Sequence, residues 1–323
     1  MMKRWISILL VLALMLGCAA GCGKKEEQPK EEAPSVSEEK KPEEKKSYVG
    51  DEVVSFALFG VDTLSSSYAA RSDTVIIVSL DKSKKEIRLS AIMRDAYVEI
   101  DHPKRGKIKD KLNHAFAFGG GELSVKTINE NFGLNIKDYA AINFTNLEKL
   151  VDALGGLEMD ISKNYRSEAN HHIGALASQR GISPKLIKST GEQHLNGMQV
   201  LGVLRCRKQV GGIEVRSKTN QIFLEKCYAK LKALDPADYP KVAKELIGMI
   251  KTSMTAEEIT NIAIEVLTEG YTIRRAVFPL SADMKGYGGK TIKGTFYTTF
   301  NPETAPKHLQ DFVFEGKLPE SKK

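Results

Sequence analysis

The sequence predicts an α/β domain whose central mixed β-sheet is flanked by helices. Apolar runs of four to seven residues, rich in β-branched side chains, indicate strands. Segments with helical periodicity and helix start or stop signals are interspersed with these runs along the chain. Such mixing is typical of a sheet that helices cover on both faces. A polar turn at residues 81–85 lies between two of the apolar runs and predicts a hairpin there.

In the first half of the domain, four strands are followed by a helical region. The glycine triplet at residues 119–121 interrupts the helical pattern, so two helices are predicted on either side of it. A further strand leads into a helix that Gly155 and Gly156 end, since glycine is the usual stop signal. The predicted strands cover residues 53–59, 74–80, 86–92, 97–100 and 139–144, and the predicted helices cover residues 113–119, 122–132 and 146–154.

The second half of the domain is predicted to be mainly helical. Thr255 begins a Thr-Ala-Glu-Glu segment, which is close to a capping box and therefore marks the start of a helix. Residues 163–193 are polar and irregular, and we expect them to form a long surface excursion. The predicted helices cover residues 197–204, 216–234, 240–250 and 255–267, and the predicted strands cover residues 157–161, 271–278 and 294–300.

The first 22 residues have the features of a lipoprotein-type signal segment. Two basic residues precede an apolar stretch at residues 5–16, which is shorter than the roughly 20 residues that a membrane helix needs. Cys18 and Cys22 each follow residues that resemble a lipoprotein cleavage box, and the choice of lipidated cysteine stays open. A plain secretory signal and an uncleaved anchor are the alternatives. All of these readings place the remaining chain outside the cytoplasmic membrane.

Residues 23–46 are predicted to form a disordered, charged tether. They are rich in Lys, Glu and Pro, with too little apolar surface to offset the entropy of ordering. As a coil this tether spans roughly 25–30 Å, which keeps an extracellular domain at residues 47–323 close to the membrane. Of the net charge of +7 on the whole chain, the domain carries +6, and this modest excess suits an anionic partner. Two cysteines of the domain, Cys206 and Cys227, are predicted either to pair or to stay buried as free thiols.

Acids and arginines follow several of the apolar runs. Asp62 and Asp73 are carboxylates that can hold a divalent cation. Arg71 and Arg94 lie close to them in the sequence, and guanidinium groups grip phosphate in bidentate fashion without losing their charge. These residue types together predict one site for a pyrophosphate-bearing substrate.

A second pair of arginines, Arg205 and Arg207, follows a predicted helix. Residues two apart face the same side only in an extended segment. We therefore predict that the helix ends near Leu204. The alternative is that one of the two arginines forms a surface salt bridge.

The order and spacing of these residues resemble the LytR-CpsA-Psr family. The resemblance covers most of residues 52–316, and its pieces are Phe-Gly-Val-Asp62, Arg71-Ser-Asp73-Thr, Met-Arg94-Asp95, Lys111-Leu-Asn113-His114, Asn143-Phe144, Gln193-His194-Leu-Asn196-Gly, Arg205-Cys-Arg207 and Arg216. It implies a phosphotransferase on the outer face of the membrane. Family members move glycopolymers, such as wall teichoic acid or capsular polysaccharide, from a polyprenyl-pyrophosphate carrier to a sugar hydroxyl of peptidoglycan.

The resemblance also implies roles for individual residues. Asp62 and Asp73 match the acids that hold Mg²⁺. Asp95 either orients its neighbour or acts as a base, and its arginine-rich surroundings favour orientation because they lower a carboxyl pKa. The residues implied in catalysis are Asp62, Asp73, Arg94 and Asp95, and those implied in pyrophosphate binding are Arg71, Arg94, Arg205, Arg207 and Arg216.

Several positions depart from the family pattern. Thr63 replaces an arginine that usually follows the first aspartate, and Thr219 and Asn220 replace an arginine and a glutamine of a later motif. Fewer guanidinium groups weaken the grip on phosphate, at roughly 1.5–3 kcal/mol for each charged hydrogen bond. A lipoprotein that binds polyprenyl phosphate without catalysis and a polyprenyl-pyrophosphate pyrophosphatase are therefore the alternative functions. A transcription regulator conflicts with the export signal.

Overall fold

A six-stranded mixed β-sheet lies at the centre of the described residues. The computed structural model describes residues 53–65 and 68–319, except for the side chain of Ile213. The predicted signal segment, the tether, Cys18 and Cys22 lie outside these residues. The strands are β1 (Val53–Val61), β2 (Ser72–Asp81), β3 (Glu86–Ile92), β4 (Tyr97–His102), β5 (Gly106–Lys111), β6 (Asp138–Asn143), β7 (Leu157–Ile161), β8 (Gly191–Leu195), β9 (Lys251–Thr252), β10 (Thr272–Phe278), β11 (Gly288–Ile292) and β12 (Thr295–Thr299).

The central sheet has the strand order β10-β3-β2-β1-β6-β9. Strands β1, β2 and β3 form an antiparallel meander, as the predicted hairpin at residues 81–85 requires. Strand β6 pairs with β1 in parallel, and β10 pairs with β3 in parallel, so the sheet is mixed as predicted. The pairs β4–β5, β7–β8 and β11–β12 form separate hairpins around it.

Helices pack on both faces of the central sheet. Alternation along β2 explains why both faces are apolar. Val75 and Ile77 face a core that contains Phe116 and Ile128, whereas Ile76 belongs to a second core on the opposite face. The helices are α1 (Leu112–Phe132), α2 (Phe144–Ala153), α3 (Lys163–Gln179), α4 (Gly197–Leu204), α5 (Gly212–Lys232), α6 (Tyr239–Ile247), α7 (Ala256–Thr268) and α8 (Thr304–Gln310). None of the described helices is long and apolar enough to cross a lipid bilayer.

The predicted glycine break is present inside α1. Gly119 and Gly120 have non-helical dihedral angles, and Gly120 has a φ of 68°, which favours glycine. A Cβ at Gly121 would lie 2.3 Å from the ring of Tyr139, so the helix approaches β6 too closely for a larger residue. The break therefore bends α1 against the sheet.

The prediction of an irregular excursion at residues 163–193 is wrong for its first half. Residues Lys163–Gln179 form α3, whose N-cap Ser162 accepts a hydrogen bond from the backbone N–H of Tyr165. Its buried side chains include Ala169, Ile173 and Leu176, which pack in a core with α4. Tertiary packing stabilises this helix although its sequence is mostly polar, and single-sequence periodicity gives little sign of such a narrow apolar stripe.

A buried charge cluster ties the β2–β3 turn to the C-terminal segment. Arg88 is fully buried and forms ion pairs with Asp81 and, at 2.6 Å, with Glu86. Its guanidinium group also donates a 2.9 Å hydrogen bond to the carbonyl of Val313. Gly316 packs against this group, because a Cβ there would lie within 3.0 Å of Arg88 Nε.

We expect Arg88→Met to lower the free energy of unfolding by about 3–5 kcal/mol, because it leaves Asp81 and Glu86 without their buried partner. Urea denaturation monitored by circular dichroism measures this change. Lys107→Met is the matched control, since the Lys107–Glu99 pair is exposed and water screens its attraction. Equal unfolding midpoints for the two variants would contradict the importance of the cluster.

The same cluster predicts a loss of stability in acid. Burial favours the neutral form of Asp81, but hydrogen bonds from Ser83, Lys84 and Arg88 outweigh it and lower the pKa of Asp81 to about 2. A carboxyl with a lowered pKa stabilises the fold above its unfolded pKa and loses that effect as the pH falls through its folded pKa. We expect the stability difference between the wild type and Asp81→Asn to shrink from about pH 4 to about pH 2. A difference that does not depend on pH would exclude this coupling.

Candidate functional site

A cavity of about 680 Å³ lies between the central sheet and the surrounding helices. Its volume is within the range of pockets that bind small organic ligands. One part of the wall is apolar and includes side chains from β1, β2, α2, α4 and α5. The apolar lining residues are Leu58, Ile76, Ile142, Phe144, Leu147, Leu150, Leu154, Leu201, Leu204, Phe223, Leu224, Leu231, Leu246 and Ile250.

The other part of the cavity wall is charged. Six of the eight predicted site residues line it, namely Asp62, Asp73, Arg94, Arg205, Arg207 and Arg216. They come from the end of β1, the start of β2, the loop after β3, the loop after α4 and the first turns of α5. The tertiary structure thus brings together residues that are far apart in the sequence; Asp62 and Arg216 are separated by 154 positions. Six of the predicted residues therefore share one cavity, whereas Asp95 and Arg71 do not line it.

Asp73 joins two of these arginines. Its carboxylate forms an ion pair with Arg94, and its Oδ2 atom lies 3.4 Å from Nη1 of Arg216. Arg216 also donates a 3.1 Å hydrogen bond to the backbone carbonyl of Asp73. Burial and the neighbouring Arg94 lower the pKa of Arg216. Arg216 is only 7% exposed, so Asp73 compensates a charge that water scarcely reaches.

Asp95 does not line the cavity but contacts the network from behind. Its Oδ2 atom lies 3.4 Å from Nε of Arg94, and its Oδ1 atom accepts a 2.7 Å hydrogen bond from Lys111. Burial favours the neutral form of Asp95, yet Lys111 and Arg94 outweigh it and the pKa is lowered. This geometry supports the orienting role for Asp95, because a carboxylate with a lowered pKa is a weak base.

The predicted end of the helix before Arg205 and Arg207 is confirmed, since α4 ends at Leu204. The expected extended segment is not formed, because Arg205 is the C-cap residue with φ −85° and ψ −12°. A turn, rather than a strand, therefore directs both arginines to the cavity. The Arg205 guanidinium lies 4.9 Å from the ring centroid of Phe144. Among the described acids, none lies within ion-pair distance of Arg205 or Arg207.

Glu168 is a site residue that the sequence did not reveal. It lies on α3, is 6% exposed, and its two oxygens accept 2.8 Å hydrogen bonds from the backbone N–H groups of Arg207, Lys208 and Gln209. Burial favours the neutral form of Glu168, but these three donors outweigh it and lower its pKa. Glu168 thus fixes the loop that carries Arg207. Because residues 163–193 were expected to be irregular, no sequence signal marked it.

Arg71 lies apart from the main cavity. It lines a neighbouring surface depression together with Asp62, and Asp62 also lines the main cavity. The backbone N–H of Asp62 donates a 3.0 Å hydrogen bond to the carbonyl of Arg71, which fixes the two segments together. The structure therefore places Arg71 beside the arginine cluster rather than within it.

The positions that depart from the family pattern have structural partners here. The Thr63 hydroxyl accepts a 2.9 Å hydrogen bond from the backbone of Ser65. The Thr219 hydroxyl contacts the Tyr165 hydroxyl at 2.6 Å, which joins α5 to α3. Asn220 lines the cavity and donates a 2.6 Å hydrogen bond to Thr74. Two of these positions, Thr63 and Thr219, lose a guanidinium group, and at Thr219 and Asn220 the replacing side chains form hydrogen bonds between α5 and its neighbours.

The described residues contain no group of three or more His, Cys, Asp and Glu side chains that could form a metal site by themselves. Asp62 and Asp73 nevertheless line the same cavity. Two carboxylates completed by phosphate oxygens and water are what Mg²⁺ accepts. Cys206 and Cys227 are buried free thiols rather than a disulfide, and burial raises the pKa of each to about 12.

Comparison with known proteins identifies relatives that include a teichoic acid transferase and a regulatory protein. The Enterococcus faecalis polyisoprenyl-teichoic acid–peptidoglycan teichoic acid transferase TagU is 29% identical over 218 residues, which are 66% of this chain and 66% of that protein. The Staphylococcus aureus regulatory protein MsrR is 30% identical over 211 residues, which are 63% of this chain and 57% of that protein. This chain therefore covers less than two thirds of the length of these curated relatives.

Solved structures share the fold at lower identity. Protein gbs0355 from Streptococcus agalactiae is 22% identical with a TM-score of 0.68, over 84% of this chain and 90% of that one. TagT with bound octaprenyl pyrophosphate lipid is 22% identical with a TM-score of 0.59, over 84% of this chain and 94% of that one. The sequence model of the LytR_cpsA_psr family matches residues 22–306. The chain therefore belongs to the LytR-CpsA-Psr family.

Proposed function

We propose that this protein transfers a glycopolymer from a polyprenyl-pyrophosphate carrier to a hydroxyl group of peptidoglycan, forming a phosphodiester. The observation that carries the proposal is the cavity itself, in which apolar walls lead to a cluster of arginines and aspartates. The polyprenyl chain of the carrier matches the apolar part of this cavity, and its pyrophosphate matches the charged part. The names of the related TagU and TagT proteins support the same substrate class.

The apolar part of the cavity suits the polyprenyl chain. Burial of hydrocarbon contributes about 25 cal/mol for each Å² removed from water, so a lipid tail supplies binding energy far from the reacting atoms. Leu147, Leu201 and Phe223 come from three different helices, and each contributes to this wall. The lipid thereby positions the phosphates at the charged end of the cavity.

The charged end suits the pyrophosphate. Phosphoryl transfer depends on positioning and on charge stabilisation, because the protein has little covalent chemistry to perform. Arg205 and Arg207 are available to phosphate oxygens because no described acid pairs with them. Arg94 and Arg216 already contact Asp73 and are held in place for the same oxygens. Asp95 and Lys111 support Arg94 from the side away from the cavity.

Asp62 and Asp73 are the residues that would hold Mg²⁺. The cation would neutralise part of the phosphate charge when bound. Asp73 Oδ2 contacts both arginines, whereas Asp73 Oδ1 has a long 3.4 Å contact with Asn113. The donor set therefore fits a cation that shares its coordination with the substrate. Asp62 is exposed at the rim, where incoming groups reach it.

We further propose that residues 1–22 direct the protein to the outer face of the cytoplasmic membrane, where Cys18 or Cys22 carries a lipid anchor. The tether at residues 23–46 then keeps the domain near membrane-embedded carriers and near peptidoglycan. Mass spectrometry of the mature N-terminus in membrane fractions distinguishes the two cysteines. A mature chain without lipid on either one would exclude the anchor.

We expect Asp73→Asn to reduce polymer transfer by on the order of a hundredfold or more, because it removes the carboxylate that positions Arg94 and Arg216 and would hold Mg²⁺, the cations that stabilise transition-state charge. The assay combines the full-length protein in detergent with a polyprenyl-pyrophosphate-linked saccharide, peptidoglycan and Mg²⁺. Asp101→Asn is the matched control, because Asp101 forms an exposed pair with Lys126. We also expect the melting shift caused by polyprenyl pyrophosphate to require Mg²⁺ and Asp73.

Product analysis separates this function from its alternatives. Saccharide joined to glycan supports the transferase. Free phosphorylated saccharide as the sole product would indicate a pyrophosphatase, and a melting shift without turnover would indicate a binding lipoprotein. Either result would replace the proposed function.

We expect Glu168→Gln to raise the donor KM about tenfold to a hundredfold, because hydrogen bonds to a charged group contribute about 1.5–3 kcal/mol. The amide loses one acceptor and the charge, so the loop that carries Arg207 is no longer fixed. Glu158→Gln is the control, since Glu158 forms an exposed pair with His194. In an Arg207→Ala background, Glu168→Gln should have little further effect on the donor KM. Additive effects would show that Glu168 does not act through Arg207.

A further inference from the structure

A second depression of about 380 Å³ opens beside the main cavity. Its lining residues are Asp62, Ala70, Arg71, His114, Ala117 and Phe118. Asp62 also lines the main cavity, so the two hollows meet at this carboxylate. The proposed donor occupies the main cavity and leaves the second depression available to another reactant.

The wall of the second depression combines aromatic and polar groups. The Phe118 ring lies 4.6 Å from the His102 ring and 5.9 Å from the His114 ring, between centroids. The Arg105 guanidinium lies 5.9 Å from the Phe118 ring centroid. An aromatic face accepts the C–H face of a sugar ring, and the surrounding imidazole and guanidinium groups can bond its hydroxyl or carboxylate oxygens.

The basic run at residues 104–111 lies beside this wall. The run forms the tip and second strand of the β4–β5 hairpin, and the tip residue Arg105 folds over Phe118. Lys107 is partly neutralised by Glu99, whereas Lys104 and Arg105 at the tip have no ion pair to a described acid. The hairpin tip therefore places positive charge beside the Phe118 wall of the depression. Anionic sugar polymers are attracted to such positive charge.

The chemistry of transfer requires two reactants on different sides of one phosphorus atom. The attacking oxygen and the leaving oxygen are roughly in line in phosphoryl transfer. The leaving polyprenyl phosphate belongs to the main cavity, so the acceptor hydroxyl has to enter from another hollow. A carboxylate accepts a hydrogen bond from a hydroxyl, whereas a guanidinium group only donates. Asp62 can therefore orient an incoming hydroxyl.

A different depression, of about 360 Å³, adjoins the main cavity at Arg207. Its other lining residues include Met93, Met284 and Phe296, and none of its lining residues carries a carboxylate. Arg207 can grip a phosphate oxygen but cannot accept the hydroxyl hydrogen bond. This hollow therefore lacks a carboxylate like that of Asp62 to orient the acceptor.

We propose that the depression lined by Arg71, His114, Ala117 and Phe118 binds the acceptor sugar of peptidoglycan. This inference rests on the proposed function. The acceptor oxygen forms a bond to the phosphorus atom next to the transferred saccharide, and the bond from that phosphorus to the bridging oxygen breaks. Polyprenyl phosphate leaves with the electron pair, and the hydroxyl proton passes to water at the open rim.

Two variants test the acceptor site in different ways. Arg105→Gln removes a charge beside its wall, and Ala117→Trp fills it from an exposed helical position. We expect each variant to raise the KM for a soluble, uncrosslinked peptidoglycan oligosaccharide about tenfold. Their affinity for the saccharide-linked polyprenyl pyrophosphate should equal that of the wild type. Lys241→Gln and Ala229→Trp are the matched controls, at an exposed lysine of α6 and an exposed alanine of α5.

The measurements use the full-length protein in detergent, with circular dichroism to confirm folding. An unchanged acceptor KM in both folded variants would overturn the acceptor site. A second result would also overturn the acceptor site. If the variants lose affinity for the saccharide-linked donor but keep their affinity for bare polyprenyl pyrophosphate, the depression binds the transferred polymer instead. A wild type that binds donor but never forms a conjugate overturns the proposed function itself, and the wild-type reaction alone reveals this.

Discussion

The site depends on holding several guanidinium groups together at the end of an apolar cavity. Arg94, Arg205, Arg207 and Arg216 line one wall, and their mutual repulsion is strong where burial lowers the effective dielectric constant. Asp73 offsets part of this repulsion because it contacts both Arg94 and Arg216. The proposed pyrophosphate substrate would offset the remainder, because its charge is opposite to that of the arginines.

Carboxylates behind the wall determine where these arginines lie. Asp95 contacts Arg94 from the side of Lys111, and Glu168 holds the backbone around Arg207. Asp95 does not line the cavity, whereas Glu168 does and its carboxylate accepts three backbone hydrogen bonds; the pKa of each acid is lowered by its partners. They remain charged at neutral pH and so fix the position of the arginines without competing for the proton of a substrate hydroxyl. Such prearranged charge costs little reorganisation during the reaction.

The fold supplies the two surfaces that this arrangement needs. Central strands β1 and β2 direct apolar side chains to both faces, one toward α1 and the other toward α5 and the cavity. The ends of the same strands bring Asp62 and Asp73 to the rim. Departures from the family pattern at Thr63 and Thr219 replace guanidinium groups, and Asn220 replaces a glutamine. The side chains of Thr219 and Asn220 join α5 to α3 and to β2 by hydrogen bonds, whereas Thr63 bonds only within its own loop.

Much of the fold could be predicted because its signals are local. The strands β1, β2, β3 and β10 are apolar runs with β-branched residues, and the break at Gly119 and Gly120 follows from backbone freedom. The helix α3 could not be predicted, since its narrow apolar stripe matters only where α4 packs against it. The short strands β5, β8 and β9 depend on their partners in the same way. Pairing across a sheet does not leave a periodic signal in a short polar segment.

The sequence by itself determined which residues carry charge and the order in which they occur, and this was enough to identify Asp62, Asp73 and the four cavity arginines. The tertiary structure decided which of them share a cavity and which lie beside it. Arg71 follows the same sequence logic as Arg94, yet it lines the neighbouring depression. Glu168 carries no motif, yet it binds three backbone N–H groups of the arginine loop. Side-chain type is a local property, whereas distance and burial arise only when remote segments pack together.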